Sequence, residues 1–216
     1  MGTQTNVKFS RISRPIAQAL AVLRDDAFEP LRIELRKFSR IQPTGEAAFP
    51  GYDAVGKLLK VRTVEDVLNE VGRGESFGLA YLVGIPAYVY LNFFELELED
   101  ESYSMLLTFD SSVLYFKDDH NEPGELLERI LSAIVTALDI EVCGYNASNR
   151  YARHFDALDV AEIVDGVRSG ALLEARPPFY YAIKTRYLAT REVRSIVSGT
   201  GATYKQRRGH HVLSAW

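Results

Sequence analysis

The sequence predicts an α+β fold, with a mainly antiparallel mixed sheet flanked by helices in one compact domain over residues 1–216. Three observations predict it. Alternating strand segments and helical segments follow one another in mixed order. Several neighbouring strand segments are joined by short turn sequences, which favours hairpins over parallel crossovers. With 216 residues, 47% of them hydrophobic, the chain can bury one full core.

The first elements follow from apolar spacing and from proline and glycine. A helix is predicted after Pro15, because apolar residues recur there on one helical face. Residues 31–38 alternate between apolar and charged, which predicts a half-buried strand. Residues 39–62 contain two prolines and three glycines and predict a long loop. Thr63 then caps a helix that ends at Gly72.

An uncharged run at residues 77–94 is about as long as a membrane-spanning helix. Gly84, Pro86 and Asn92 interrupt it, and tyrosines recur at alternate positions, so two buried strands are predicted instead. The chain is therefore expected to have no membrane partner. The strands predicted in this region are 77–83, 86–99, 103–109 and 112–116.

The second half contains the clearest helix, which begins at Pro123 and carries apolar residues at helical spacing through Leu138. Asp159 and Glu162 have the spacing of a capping box. The further predictions are a strand at 140–145, a helix after Asp159, a strand at 179–187, a helix at 190–198 and a hairpin turning at 208–209. The last three elements form a strand-helix-hairpin unit within residues 175–216.

Charge is segregated along the chain. Residues 41–174 carry nine basic and 24 acidic residues, net −15, whereas residues 175–216 carry eight basic residues and one acidic residue, net +7. Such segregation bears on binding partners and encounter rates rather than on fold.

The acidic strand end is the first candidate site, and we use this name for Glu95, Glu97, Glu99, Asp100 and Glu101. A period of two places its three glutamates on one strand face. Asp118 and Asp119 are expected nearby, after the next hairpin. One interpretation is a solvated strand end that blocks edge pairing. The other is a docking face for a basic protein partner, or for a cation.

The basic C-terminal unit is the second candidate. Its helix and hairpin have the outline of a winged helix, a nucleic-acid-binding motif. Such a motif would place arginines in a groove of the duplex and on its phosphates. The alternative is that these cations pair internally with the acidic segment. The residues concerned are Lys184, Arg186, Arg191, Arg194, Lys205, Arg207 and Arg208.

No catalytic or metal motif is predicted. Gly74 to Gly78 match G-x-S-x-G, but a helix precedes the serine and a strand follows it, the reverse of a hydrolase elbow. Asp118, Asp119 and His120 are adjacent and lack metal-ligand spacing, and His210 and His211 on a strand would point to opposite faces. Cys143, the only cysteine, indicates a reducing cytosol and a buried thiol. We expect no cofactor, although an enzyme assembled from scattered residues stays an alternative.

One stretch resembles a known class of proteins. LLTFDSSVLYF (106–116), an acidic turn, ELLERILSAIVTALD (125–139) and EVCGY (141–145) are together similar to the core of bacterial immunity proteins from polymorphic-toxin and secreted-effector systems. The resemblance implies a cytosolic, non-enzymatic α+β protein that blocks a cognate toxin through an acidic face. It covers residues 106–145 and leaves the N-terminal segment and the basic hairpin unaccounted for.

Overall fold

A computed structural model describes residues 4–44, 51–72, 75–83, 88–97, 102–110, 124–146, 157–174 and 178–215. These residues form an α+β fold in which strands predominate. The strands are β1 (Gln4–Phe9), β2 (Ile12–Ser13), β3 (Ile33–Thr44), β4 (Gly51–Lys60), β5 (Phe77–Val83), β6 (Tyr88–Glu97), β7 (Ser102–Asp110), β8 (Val142–Asn146), β9 (Phe179–Lys184), β10 (Thr203–Arg207) and β11 (His210–Ala215). The α-helices are α1 (Ile16–Val22), α2 (Val64–Glu70), α3 (Glu125–Ala137), α4 (Val160–Arg168) and α5 (Thr190–Val197).

All the strands belong to a single open sheet in the order β10-β11-β9-β8-β1-β7-β6-β5-β3-β4, and β2 also pairs with β7. Every described strand pair is antiparallel, and the described parallel contact is an isolated bridge between Ser10 and Leu158. The C-terminal hairpin forms one edge of the sheet and β4 forms the other.

The core occupies both faces of this sheet. Tyr180 and Ala182 of β9 pack in a cluster with α1, α2 and α3, whereas Tyr181 and Ile183 pack in a second cluster with α4 and α5. Because neighbouring residues of a strand point to opposite faces, the two helix groups lie on opposite sides of the sheet. Antiparallel strands joined by hairpins, with helices packed on both faces of the sheet, confirm the predicted α+β class.

The N-terminal caps predicted at Thr63 and Asp159 are confirmed. The Thr63 hydroxyl accepts a hydrogen bond from Asp66 N (3.1 Å), and the Asp66 carboxylate accepts one from Thr63 N (3.0 Å), which forms a capping box at α2. Asp159 caps α4 by accepting a hydrogen bond from Glu162 N (2.9 Å). Helix α3 begins at Glu125, with Gly124 as its cap in the left-handed region.

The long loop predicted at residues 39–62 is wrong for the described residues 39–44 and 51–60, which are strands, whereas residues 45–50 lie outside the described residues. Strand β3 continues to Thr44 and pairs with β4, with an irregular register between Phe38 and Arg40. Pro43 is tolerated because the described pairing of β5 with β3 ends at Arg40, so no described strand needs the N–H that proline lacks on that side. Gly56, at φ +77°, supplies the left-handed residue within the paired segment.

The helix predicted after Pro15 continues beyond α1 in two unusual turns. Leu23–Phe28 is π-helical and Glu29–Leu31 is a 3₁₀ turn. Arg32 then adopts the left-handed conformation (φ 56°, ψ 38°) before β3 begins.

The uncharged run at 77–94 contributes to two strands, β5 and β6, as predicted. In the part of the chain that the structure describes, no helix is long and apolar enough to cross a membrane. The strand predicted at 112–116 lies outside the described residues.

Candidate functional site

The acidic strand end begins at the C-terminal end of β6. Phe94 pairs with Ser104 and Glu97 pairs with Ser102. Between these two pairs the chain advances three residues along β6 but only two residues along β7. The extra residue is a β-bulge, and it interrupts the strict alternation that predicted Glu95 and Glu97 on one face. Only the backbone of these two residues is described. Glu99, Asp100, Glu101, Asp118 and Asp119 lie outside the described residues.

The basic C-terminal unit makes ion pairs within the chain. Lys184 Nζ donates to Asp139 (2.9 Å) and to Glu141 (3.0 Å), and Arg186 Nη2 also contacts Glu141 (2.5 Å). Partial burial disfavours the charged forms of Lys184 and Glu141. The hydrogen bonds nevertheless raise the pKa of Lys184, and those from Tyr187 and Lys184 lower the pKa of Glu141.

A second ion-pair group joins β10 to α3. Lys205 Nζ donates to both carboxylate oxygens of Glu128 (2.9 and 3.1 Å), and Arg207 Nη2 lies 3.5 Å from the same carboxylate. The Glu128 side chain is only 6% exposed. A buried carboxylate requires such partners, because burial removes its hydration.

Three of the seven predicted nucleic-acid contacts have no ion pair among the described residues, namely Arg191, Arg194 and Arg208, and all three are exposed. The hairpin does not stand apart as a wing, since β11 pairs with β9 along its whole length. The structure therefore separates the seven cations into four that pair with acidic residues of α3 and the segment after it and three that have no described ion pair.

The described start of the acidic strand end, in β6, lies far from the strand β10 that carries Lys205 and Arg207. Six inter-strand steps separate β6 from β10 in the sheet. At about 4.8 Å per step this is roughly 29 Å. Among the described residues, the ion-pair partners of Lys184, Arg186, Lys205 and Arg207 are Glu128, Asp139 and Glu141.

An open groove of about 690 Å³ lies where the π-helical turn, the start of β3 and the start of α2 meet. We call it the arginine groove. Its floor includes the rings of Phe28 and Tyr81, whose centroids are 4.4 Å apart. Its rim carries four arginines and three acidic residues, Arg24, Arg32, Arg36, Arg62, Asp25, Glu29 and Glu34.

Sequence reasoning missed the arginine groove. Its residues come from three separated segments, and the charges of 31–38 alternate as on an ordinary solvated strand. Two structural features mark it. π-Helical turns are rare and often lie at functional sites. Arg32 adopts a left-handed conformation, which costs a non-glycine residue about 1–2 kcal/mol.

The two adjacent histidines serve the fold. His210 Nε2 lies 2.7 Å from the Ile140 carbonyl oxygen on one face of the sheet. His211 Nε2 lies 2.8 Å from the Leu188 carbonyl oxygen on the other face, and its Nδ1 is 3.0 Å from the Tyr204 hydroxyl. They point to opposite faces, as predicted. Within the described residues, no group of three or more His, Cys, Asp or Glu could hold a metal ion.

Cys143 is fully buried in β8, and burial raises the pKa of its thiol to about 12. We expect the native protein to show no measurable reaction with an aromatic disulfide reagent at pH 8 within minutes. The Cys143 thiol is protonated at that pH, and the reagent cannot reach it in the folded protein. The urea-unfolded chain should react at once, with a single thiol. Equal reaction rates in the two states would contradict the described burial.

Comparison of the chain with known proteins yields no match, whether to a family profile, to a curated protein or to a solved structure.

Proposed function

We propose that this chain is a non-enzymatic, cytosolic protein-binding module whose acidic strand end docks a basic protein. Its concrete form is an immunity or inhibitor protein that neutralises a cognate toxin. The observation that carries the proposal is that Lys184, Arg186, Lys205 and Arg207 pair with acidic residues of α3 and of the segment that follows it, Glu128, Asp139 and Glu141. These four cations are therefore not available to neutralise the acidic strand end.

Complementary charge would speed the encounter with such a partner and would set its specificity. The β-bulge supports this use of the strand end, because bulges re-aim side chains where pairing ends. The nucleic-acid alternative keeps only Arg191, Arg194 and Arg208 as exposed cations without a described ion pair. Retention on heparin at low salt, abolished by replacing these three, would favour that alternative.

The proposal predicts that reversing the charge at Glu95, Glu97 and Glu99 to lysine weakens partner binding. We expect the association rate with the protein captured from native cytosol to fall by at least about tenfold at low salt. The association rate of the unmodified chain should itself fall steeply with added salt. Surface plasmon resonance measures both.

A matched control reverses three exposed acidic residues elsewhere, Asp26, Glu65 and Glu174. It changes net charge equally, so a loss confined to the first variant assigns the effect to the acidic strand end. Equal rates for the two variants and the unmodified chain would contradict the proposed docking role.

A further inference from the structure

We propose that the arginine groove binds an extended peptide segment that carries an apolar side chain and, next to it, a carboxylate. This site goes beyond the proposed function, because it lies on another surface and selects the opposite sign of charge. Three features of the groove carry the inference, namely a strand edge beside which no described strand lies, an apolar floor and two arginines without an ion pair among the described residues.

The free edge belongs to the first residues of β3. Ile33 to Leu35 pair with β5 on one side. On the other side, pairing with β4 starts only at Lys37, and Val61 N donates to the Arg36 carbonyl (3.2 Å) before the chain turns into α2. No described strand lies beside Ile33 to Leu35 on that side. An extended peptide can pair with this edge as an additional strand, in the position that β4 would occupy if it continued.

The floor of the groove provides a pocket for one apolar side chain. Phe28 and Tyr81 are buried, and Val64 and Leu35 also line the groove. A volume of about 690 Å³ suits a few residues rather than a folded domain. The anchor side chains of an interface fill pockets that exclude water.

The charges on the rim select a carboxylate. Arg24 pairs with Asp25, and Arg36 pairs with Glu34. Arg32 and Arg62 have no ion pair among the described residues. Asp66, four residues after Arg62, already accepts backbone hydrogen bonds from Arg62 N (2.8 Å) and Thr63 N (3.0 Å). Guanidinium groups bind carboxylates in a bidentate manner.

The acidic rim residues argue against a polyanion. Asp25, Glu29 and Glu34 line the same groove as the four arginines. A nucleic-acid backbone brings one negative charge per nucleotide and would meet repulsion from these three carboxylates. A single carboxylate on an otherwise neutral peptide meets less repulsion and can still bind Arg32 and Arg62.

The test uses two arrays of random hexapeptides probed with the fluorescently labelled full-length protein. One array anchors the peptides by the C-terminus, so that carboxylates come only from side chains, and the other leaves the C-terminus free. We expect the bound peptides to share an apolar residue beside the carboxylate. Binding on the free-terminus array alone would assign the carboxylate to a peptide C-terminus, and binding on both would assign it to Asp or Glu side chains.

Variants then locate the site. Arg32→Gly suits the left-handed backbone and removes the guanidinium, and Arg62→Gln removes the second one. Each should weaken binding of the best array peptide at least tenfold in fluorescence polarisation, whereas Arg191→Gln, an exposed control on α5, should not. Peptide binding should also slow amide hydrogen exchange within residues 33–35.

Any one of three results would overturn the proposal. The first is that neither array binds the protein, and the second is that both groove variants bind the peptide with unchanged affinity. The third is that a single-stranded oligonucleotide binds more tightly at the same arginines. Failure here is distinct from failure of the proposed function. Charge reversal at the acidic strand end should leave peptide binding unchanged, and the groove variants should leave capture of the basic partner unchanged.

Discussion

Replacing Phe93 with alanine is expected to lower the free energy of unfolding by about 3–5 kcal/mol, the range for removing a buried aromatic side chain. Phe93 is fully buried in β6. Its ring stacks on Phe77 with centroids 4.7 Å apart and meets the edge of Tyr103 at 5.7 Å. Alanine would leave a cavity that these two rings cannot close.

Urea unfolding followed by circular dichroism measures this change. The matched control is Tyr90→Ala on the same strand, where the ring is 40% exposed. We expect the control to cost less than about 1 kcal/mol, because little apolar surface is lost from the core. Equal losses at the two positions would show that Phe93 is not part of the core as described.

The double substitution Lys205→Met and Arg207→Met is expected to destabilise the fold by about 3 kcal/mol, because it leaves the carboxylate of Glu128 buried without a cation. Lys205 and Arg207 themselves are partly exposed, so the loss comes from the unpaired acid and not from the removed cations. The same unfolding experiment measures it.

Adding Glu128→Leu to this variant should recover most of the lost stability, because an apolar side chain of similar size has no charge to solvate. Arg191→Met with Arg194→Met removes two exposed arginines as a control and should change stability by less than about 0.5 kcal/mol. If Glu128→Leu gives no recovery, the ion-pair group is not what holds the basic hairpin on α3.

Local patterns in the sequence predicted most of the individual elements. The apolar period of α3, the capping residues Thr63 and Asp159 and the turn before His210 all act within a few residues, so they can be interpreted without a structure. Residues 39–62 could not be predicted in this way. Whether a proline or glycine ends a strand depends on the neighbouring strand, and here β5 stops pairing before Pro43.

The candidate sites were less predictable than the elements. The bulge between Phe94 and Glu97 depends on how β7 pairs with β6, and it shifts the face on which later residues fall. The arginine groove depends on three segments that meet only after folding, and neither the π-helical turn nor the strained Arg32 has a recognised sequence signal.

The sequence by itself determined the α+β class, the buried cysteine and the separation of an acidic middle from a basic end, since composition and short-range spacing are properties of the chain alone. Only the tertiary structure decided which charges meet. Lys205 reaches Glu128 across 77 positions of the chain, while five strands lie between β10 and β6, where the acidic strand end begins. The physical reason is that ion pairs depend on distance in space, and the order of strands in a sheet sets that distance independently of the order of residues.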